Sequence, residues 1–117
     1  MDREDVLVCL SALSQGTRLD TFRLLVRQEP HGLAAGEIAR QLDVPQNTMS
    51  THLAILTRAG LLRSERQSRS IVYRADLDRL RDVTVFLVND CCDGRAEVCQ
   101  PLLTALLPFC PPEKVAP

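Results

Sequence analysis

No stretch of this 117-residue chain approaches the roughly 18 consecutive apolar residues that a membrane-spanning helix requires. The N-terminus reads Met1-Asp2-Arg3-Glu4-Asp5, acidic where a secretion signal would be basic and then apolar. These absences lead to the expectation of a soluble, unexported protein of the cytoplasm with no membrane partner. Motifs of catalysis are missing as well. There is no Cys-x-x-Cys pair and no glycine-rich phosphate loop. A phosphatase-like reductase loop needs an arginine after five intervening residues, yet Cys91 meets Glu97 at that spacing and Cys92 meets Val98. The chain is therefore not expected to be an enzyme, and a thiol oxidoreductase is the rival from another class. No internal repeat is visible.

What is present suits one ordinary domain, since 45% of the residues are apolar and the length lies within the usual single-domain range. A chain this short exposes a large share of its surface, which favours burying some of it in a second copy. The net charge is only −1, but its distribution is uneven. Residues 40–74 carry six arginines against two acids, whereas acids outnumber bases on either side. A positive middle third fits a protein that presents one face to a phosphate backbone.

Val6, Leu7, Leu10 and Leu13 follow helical spacing and mark a first amphipathic helix. Ser14 is placed to cap a second, whose buried face is expected at Leu19, Phe22, Leu25 and Val26 before Pro30 and Gly32 interrupt it. The pattern Leu33, Ile38, Ala39, Leu42 suits a short third helix ending near Asp43, and Pro45 opens a fourth with Met49, Leu53 and Leu56 inward and Gly60 as its stop. The period then changes. Residues 62–66 and 70–74 read as two strands joined by Gln67-Ser68-Arg69, a β-hairpin. Asp76 caps a fifth helix through Asp90, with Leu77, Leu80, Val83 and Leu87 in its stripe and Val85, Phe86 and Val88 beside it. Such a broad apolar surface predicts a homodimer built on this helix with the first helix beside it. Prolines 108, 111, 112 and 117 make the last ten residues a loose tail.

The fold class predicted is mainly α with a β-hairpin wing, a winged helix-turn-helix. Residues 1–90 form the DNA-binding and dimerisation domain, and residues 91–117 a cysteine-bearing sensing segment and tail. Gln46, Thr48, Ser50, Thr51 and His52 on the fourth helix are short donors and acceptors suited to base edges in the major groove of double-stranded operator DNA. Arg58, Arg63, Arg66, Arg69 and Arg74 supply positive charge around them, with Arg58, Arg66 and Arg69 expected to contact DNA.

The residues 13–19 (Leu-Ser-Gln-Gly-Thr-Arg-Leu), 46–62 and 66–74 resemble the ArsR/SmtB family of metalloregulatory repressors, over residues 5–90. The resemblance implies a dimer paired through its first and fifth helices that binds a pseudo-palindromic operator and releases it when metal binds. Three positions depart from the pattern: Pro45 stands where the family often has a serine cap, Thr51 replaces a frequent histidine, and Ser68 replaces a frequent glycine at the wing tip.

Five cysteines in an unexported chain point to metal binding or redox sensing rather than to disulfides. An arsenic site in the third helix, as in some members of the resembled family, would need cysteines within residues 33–38, and none is there. A zinc site across paired fifth helices would need histidines at helical spacing, and the chain has only His31 and His52. Cys91, Cys92 and Cys99 remain, with Cys110 as a tail thiol and Cys9 as a core residue of the first helix. The run 90–99 also resembles the C-terminal arsenic site of one subgroup of the family. The resemblance implies that the three thiolates bind As(III), and by the same chemistry Sb(III), as inducer, with no organic cofactor. The same cysteines also suit a thiol-oxidation or persulfide switch, or a soft divalent ion such as cadmium or lead.

Overall fold

Asp2 starts the first helix by accepting the Asp5 N–H on its carboxylate at 2.9 Å, with Glu4 and Asp5 in the first turn favouring the helix dipole. In this computed structural model, residues 1–88, 100–102, 104 and 105 are described. They fall in two units, residues 1–83 and 84–117. Helix α1 (Arg3–Leu13) turns Val6, Cys9 and Ala12 inward and leaves Leu7, Val8 and Leu10 exposed. Cys9 is thus a core residue, as the sequence predicts, and the amphipathic stripe divides between the core (Val6) and the surface (Leu7, Leu10). The small residues at three-residue spacing fit the close approach to the core, and the larger ones line an outward apolar face.

Helix α2 spans Gly16–Arg27. Its cap is Gln15, whose side chain accepts the Arg18 N–H at 2.8 Å, and not Ser14. Ser14 closes α1 instead, donating its hydroxyl to the Ser11 carbonyl. Phe22, Leu24 and Leu25 are buried, while Leu19, expected inside, is exposed. Thr21 is wholly buried and donates to the Thr17 carbonyl at 2.8 Å, so its hydroxyl carries no unmet donor.

Leu33–Ala34 form a short strand, β1, before helix α3 (Ala35–Leu42), where the sequence pattern suggested helix throughout. Helix α4 spans Gln46–Arg58, and its Met49, Leu53 and Leu56 are fully buried as the spacing predicts. Each such side chain contributes about 1.5–3 kcal/mol of transfer free energy. With Leu25, Ile38 and Leu61 they make the centre of the core. Gly60, at φ +86°, supplies the left-handed turn after α4.

Strands β2 (Leu62–Gln67) and β3 (Ser70–Ala75) pair antiparallel from Leu62 opposite Ala75 to Gln67 opposite Ser70. β1 pairs with the other edge of β3, giving the order β1-β3-β2. The hairpin is one residue longer on each strand than the pattern indicates, so only Ser68 and Arg69 form the loop. Asp76 accepts the Arg79 N–H at 3.1 Å and opens helix α5 (Leu77–Val88) as expected. The unit boundary falls within α5, after Val83, which is buried in the first unit. In the second unit Val85, Phe86 and Leu87 are exposed. No helix among the described residues is long and apolar enough to cross a membrane.

Candidate nucleic-acid interface

The turn between α3 and α4 is three residues long, and Asp43 makes it possible by adopting the left-handed conformation at φ 55°. The Val44 N–H then returns to the Ala39 carbonyl at 3.0 Å, which closes the end of α3. Pro45 is the N-cap of α4 rather than its first helical residue, and it offers no side-chain cap. Asn47 makes up part of the deficit by accepting the Thr48 N–H on its carboxamide oxygen at 2.9 Å.

With Met49, Leu53 and Leu56 locked inside, the opposite side of α4 stands in solvent. Gln46, Thr48, Ser50, Thr51 and Arg58 are all exposed there, as the sequence predicts. Ser50 and Thr51 donate their hydroxyls back to the Gln46 and Asn47 carbonyls, at 3.0 and 3.4 Å. With the proton so used, each hydroxyl oxygen keeps its acceptor capacity. Asn47 and Ala54 are exposed on the same side and were absent from the expected set. The signal was available: Asn47 lies four residues before Thr51, and Ala54 four after Ser50 and four before Arg58.

His52 is half-buried and differs from its neighbours. Its Nδ1 lies 3.4 Å from Nη1 of Arg18, whose Nε donates to the Ala12 carbonyl at 2.7 Å. A guanidinium has no acceptor, so Nδ1 of His52 is the acceptor in this contact. Arg18 thereby ties α4 to the start of α2.

The arginines of the basic middle third separate into two groups. Arg58, Arg63, Arg66 and Arg69 are exposed, and their side chains make no hydrogen bond or ion pair among the described residues. Arg66 and Arg69 flank the hairpin tip, where Ser68 sits at φ 57° while Arg69 does not have positive φ, the φ pattern of a type II′ turn. Arg74, counted from sequence among the free positive charges, is engaged. Its Nε and Nη2 donate to the two carboxylate oxygens of Glu29 at 2.9 and 3.0 Å, and Nη1 reaches Glu65 at 3.4 Å. The Arg74 hydrogen bond holds the Glu29 carboxyl below the usual carboxylate range, against the opposing effect of burial. The same pairing raises the guanidinium of Arg74 above its ordinary value. Arg40 is likewise paired, with Glu37, whose carboxyl is held down to about 2 by hydrogen bonds from Arg40 and Gln41.

Cys9 is fully buried, and its Sγ donates to the Ala59 carbonyl at 3.3 Å. Burial pushes this thiol up, outweighing the nearby Arg79. Cys91, Cys92, Cys99 and Cys110 lie outside the described residues. Among the described residues no group of three or more His, Cys, Asp or Glu is arranged to hold a metal ion.

A model of the helix-turn-helix domain matches residues 13–65. The chain is 30% identical to the uncharacterized HTH-type transcriptional regulator YbzH of Bacillus subtilis, over 68% of this chain and 91% of that one. It is 31% identical to the transcriptional activator HlyU of Vibrio cholerae, over 57% of this chain and 59% of HlyU, so it spans less than two thirds of that relative. Among solved structures, the homodimeric winged helix-turn-helix DNA-binding domain Mb0332 from Mycobacterium bovis, named as a possible ArsR-family regulator, matches with a TM-score of 0.61. It is 24% identical over 79% of this chain and 85% of that domain.

Proposed function

The chain belongs to the helix-turn-helix transcriptional regulators and has the ArsR-type winged-helix fold, and from that premise we propose that it is an arsenite-responsive repressor, binding operator DNA as a homodimer in the cytoplasm. The observation that carries the DNA reading is the exposed side of α4, short and polar, beside a hairpin whose tip bears two arginines that are unpaired among the described residues. Base edges are read by the helix and phosphates are held by the tip. Dimerisation would cover the exposed Leu7, Val8 and Leu10 of α1 and, in the second unit, Val85, Phe86 and Leu87 of α5.

The arsenite assignment rests on thiol chemistry. Cys9 is spoken for by the core, and residues 33–38 hold no cysteine, so the thiols left for a soft ion are those of the C-terminal segment. Cys91, Cys92 and Cys99 offer three thiolates within nine residues, the ligand number that As(III) takes. Closing them around one ion just beyond α5 would reshape the end of the dimerising helix and change the spacing of the two reading helices.

A duplex selected from a random library by the reduced protein, followed by fluorescence anisotropy during arsenite titration, tests this reading. Release by arsenite is expected in the wild type and in Cys9→Ser, with retention in Cys91→Ser, Cys92→Ser and Cys99→Ser. Full release in any one of those three removes that residue from the site. Release by peroxide or persulfide alone, with no response to arsenite, supports the thiol-oxidation switch instead.

A further inference from the structure

Arg74 and Glu29 are 45 residues apart in sequence and join two different parts of the DNA-reading unit. Arg74 belongs to β3, five residues from Arg69 at the hairpin tip, whereas Glu29 lies in the loop between α2 and β1. Their side chains are 22% and 16% exposed, the most buried ion pair among those described. The contact is bidentate, the geometry in which a guanidinium fixes both distance and orientation. Glu65 on β2 adds a third point, so the guanidinium is held from the loop and from the neighbouring strand at once.

The lever is long. Five strand residues extend about 17 Å, so rocking the hairpin by roughly 10° at Arg74 displaces its tip by about 3 Å. That exceeds the tolerance of a charge-assisted hydrogen bond to phosphate.

We propose that Glu29 is a positioning residue for DNA binding, which acts through Arg74 to hold the wing tip at the height where Arg66 and Arg69 meet the phosphate backbone. The inference rests on the DNA-binding reading above. Its sign is opposite to that of simple charge counting, because removing a carboxylate from a phosphate-binding protein should otherwise strengthen binding.

The test uses the full chain and the duplex selected by the wild-type protein, with affinity measured across a range of salt concentrations. Glu29→Gln is expected to weaken binding about tenfold and to flatten the salt dependence by about 0.9 for each phosphate that is no longer neutralised. Added to Arg66→Ala/Arg69→Ala, it should weaken binding no further, since the arginines it positions are already gone. The exchanged pair Glu29→Arg/Arg74→Glu, made with Glu65→Gln so that the new carboxylate does not face that of Glu65, should recover most of the affinity and the salt slope, and it decides the matter if Glu29→Gln is unfolded by circular dichroism. Folded Glu29→Gln that binds as tightly as wild type or tighter, or whose effect adds fully to that of the arginine variant, overturns the proposal. So does a folded exchange variant that recovers nothing. A wild-type chain that binds no duplex defeats the DNA reading and this inference together, whereas the other adverse results defeat the inference alone.

Discussion

The base and the tip of the hairpin use the same residue type for opposite tasks. At the base, Arg74 is paired with Glu29 and Glu65, and Gly32 packs against β3 so tightly that a Cβ there would stand 2.5 Å from the Tyr73 carbonyl oxygen. At the tip, Arg66 and Arg69 are exposed and unpaired among the described residues, and Ser68 bears a left-handed φ. An arginine held by carboxylates contributes rigidity, whereas one left in water keeps its donors for an anion from outside. Neighbours, not residue type, decide which job each arginine does.

The largest effect should come from the base. Gly32 has φ +72°, and its added Cβ would meet backbone and the Arg74 and Val72 side chains within 2.8 Å. Gly32→Ala should cost about 3 kcal/mol, a fall of roughly 10 °C or more in melting temperature. A thermal melt within about 2 °C of wild type would show that the base yields more easily than its packing indicates.

The tip should respond in binding rather than in stability. Arg66→Ala/Arg69→Ala is expected to lose about tenfold in duplex affinity, with a shallower salt dependence and an unchanged melting temperature. A drop in melting temperature without a change in salt slope would make these arginines structural and erase the contrast with Arg74.

Ser68→Gly relieves a left-handed residue and should stabilise the protein by about 0.5 kcal/mol, partly offset by the freer unfolded chain. The expected readout is a small rise in melting temperature. A fall would place the strain elsewhere in the turn.

The smallest effect is a slope. The Glu29 carboxyl is held below its ordinary range, so the stability it contributes is fully present above the unfolded value of about 4.3 and is lost as pH falls through the lower folded value. Wild type and Glu29→Gln should therefore differ in melting temperature at neutral pH and converge in acid. Parallel curves down to low pH would mean that the pair adds no stability.

Much of this was legible in the residues alone. The period of Met49, Leu53 and Leu56 placed α4 and its polar face correctly, and the alternation after Leu61 placed the hairpin. What local pattern could not give was partnership. Nothing near Arg74 in the sequence announces Glu29, 45 residues away, and two residues are too few for β1 to show a period. On α1 the helical spacing marked Val6 and the core reading of Cys9 holds, whereas nothing in the local pattern singled out Ala12 as the third buried residue or divided the stripe so that Leu7 and Leu10 face out. The cap of α2 went to Gln15, one residue on from the better intrinsic former, because Ser14 was already closing the preceding helix.

The central claim is that the outer side of α4 and the hairpin tip together form the DNA-reading surface. Backbone amide chemical shifts of the labelled, reduced protein, recorded with and without the selected duplex, test it most directly. Perturbations concentrated in residues 46–58 and 65–70, with little change at Glu29 and Gly32, are predicted. Perturbations confined to α1, or spread evenly over the chain, would contradict it.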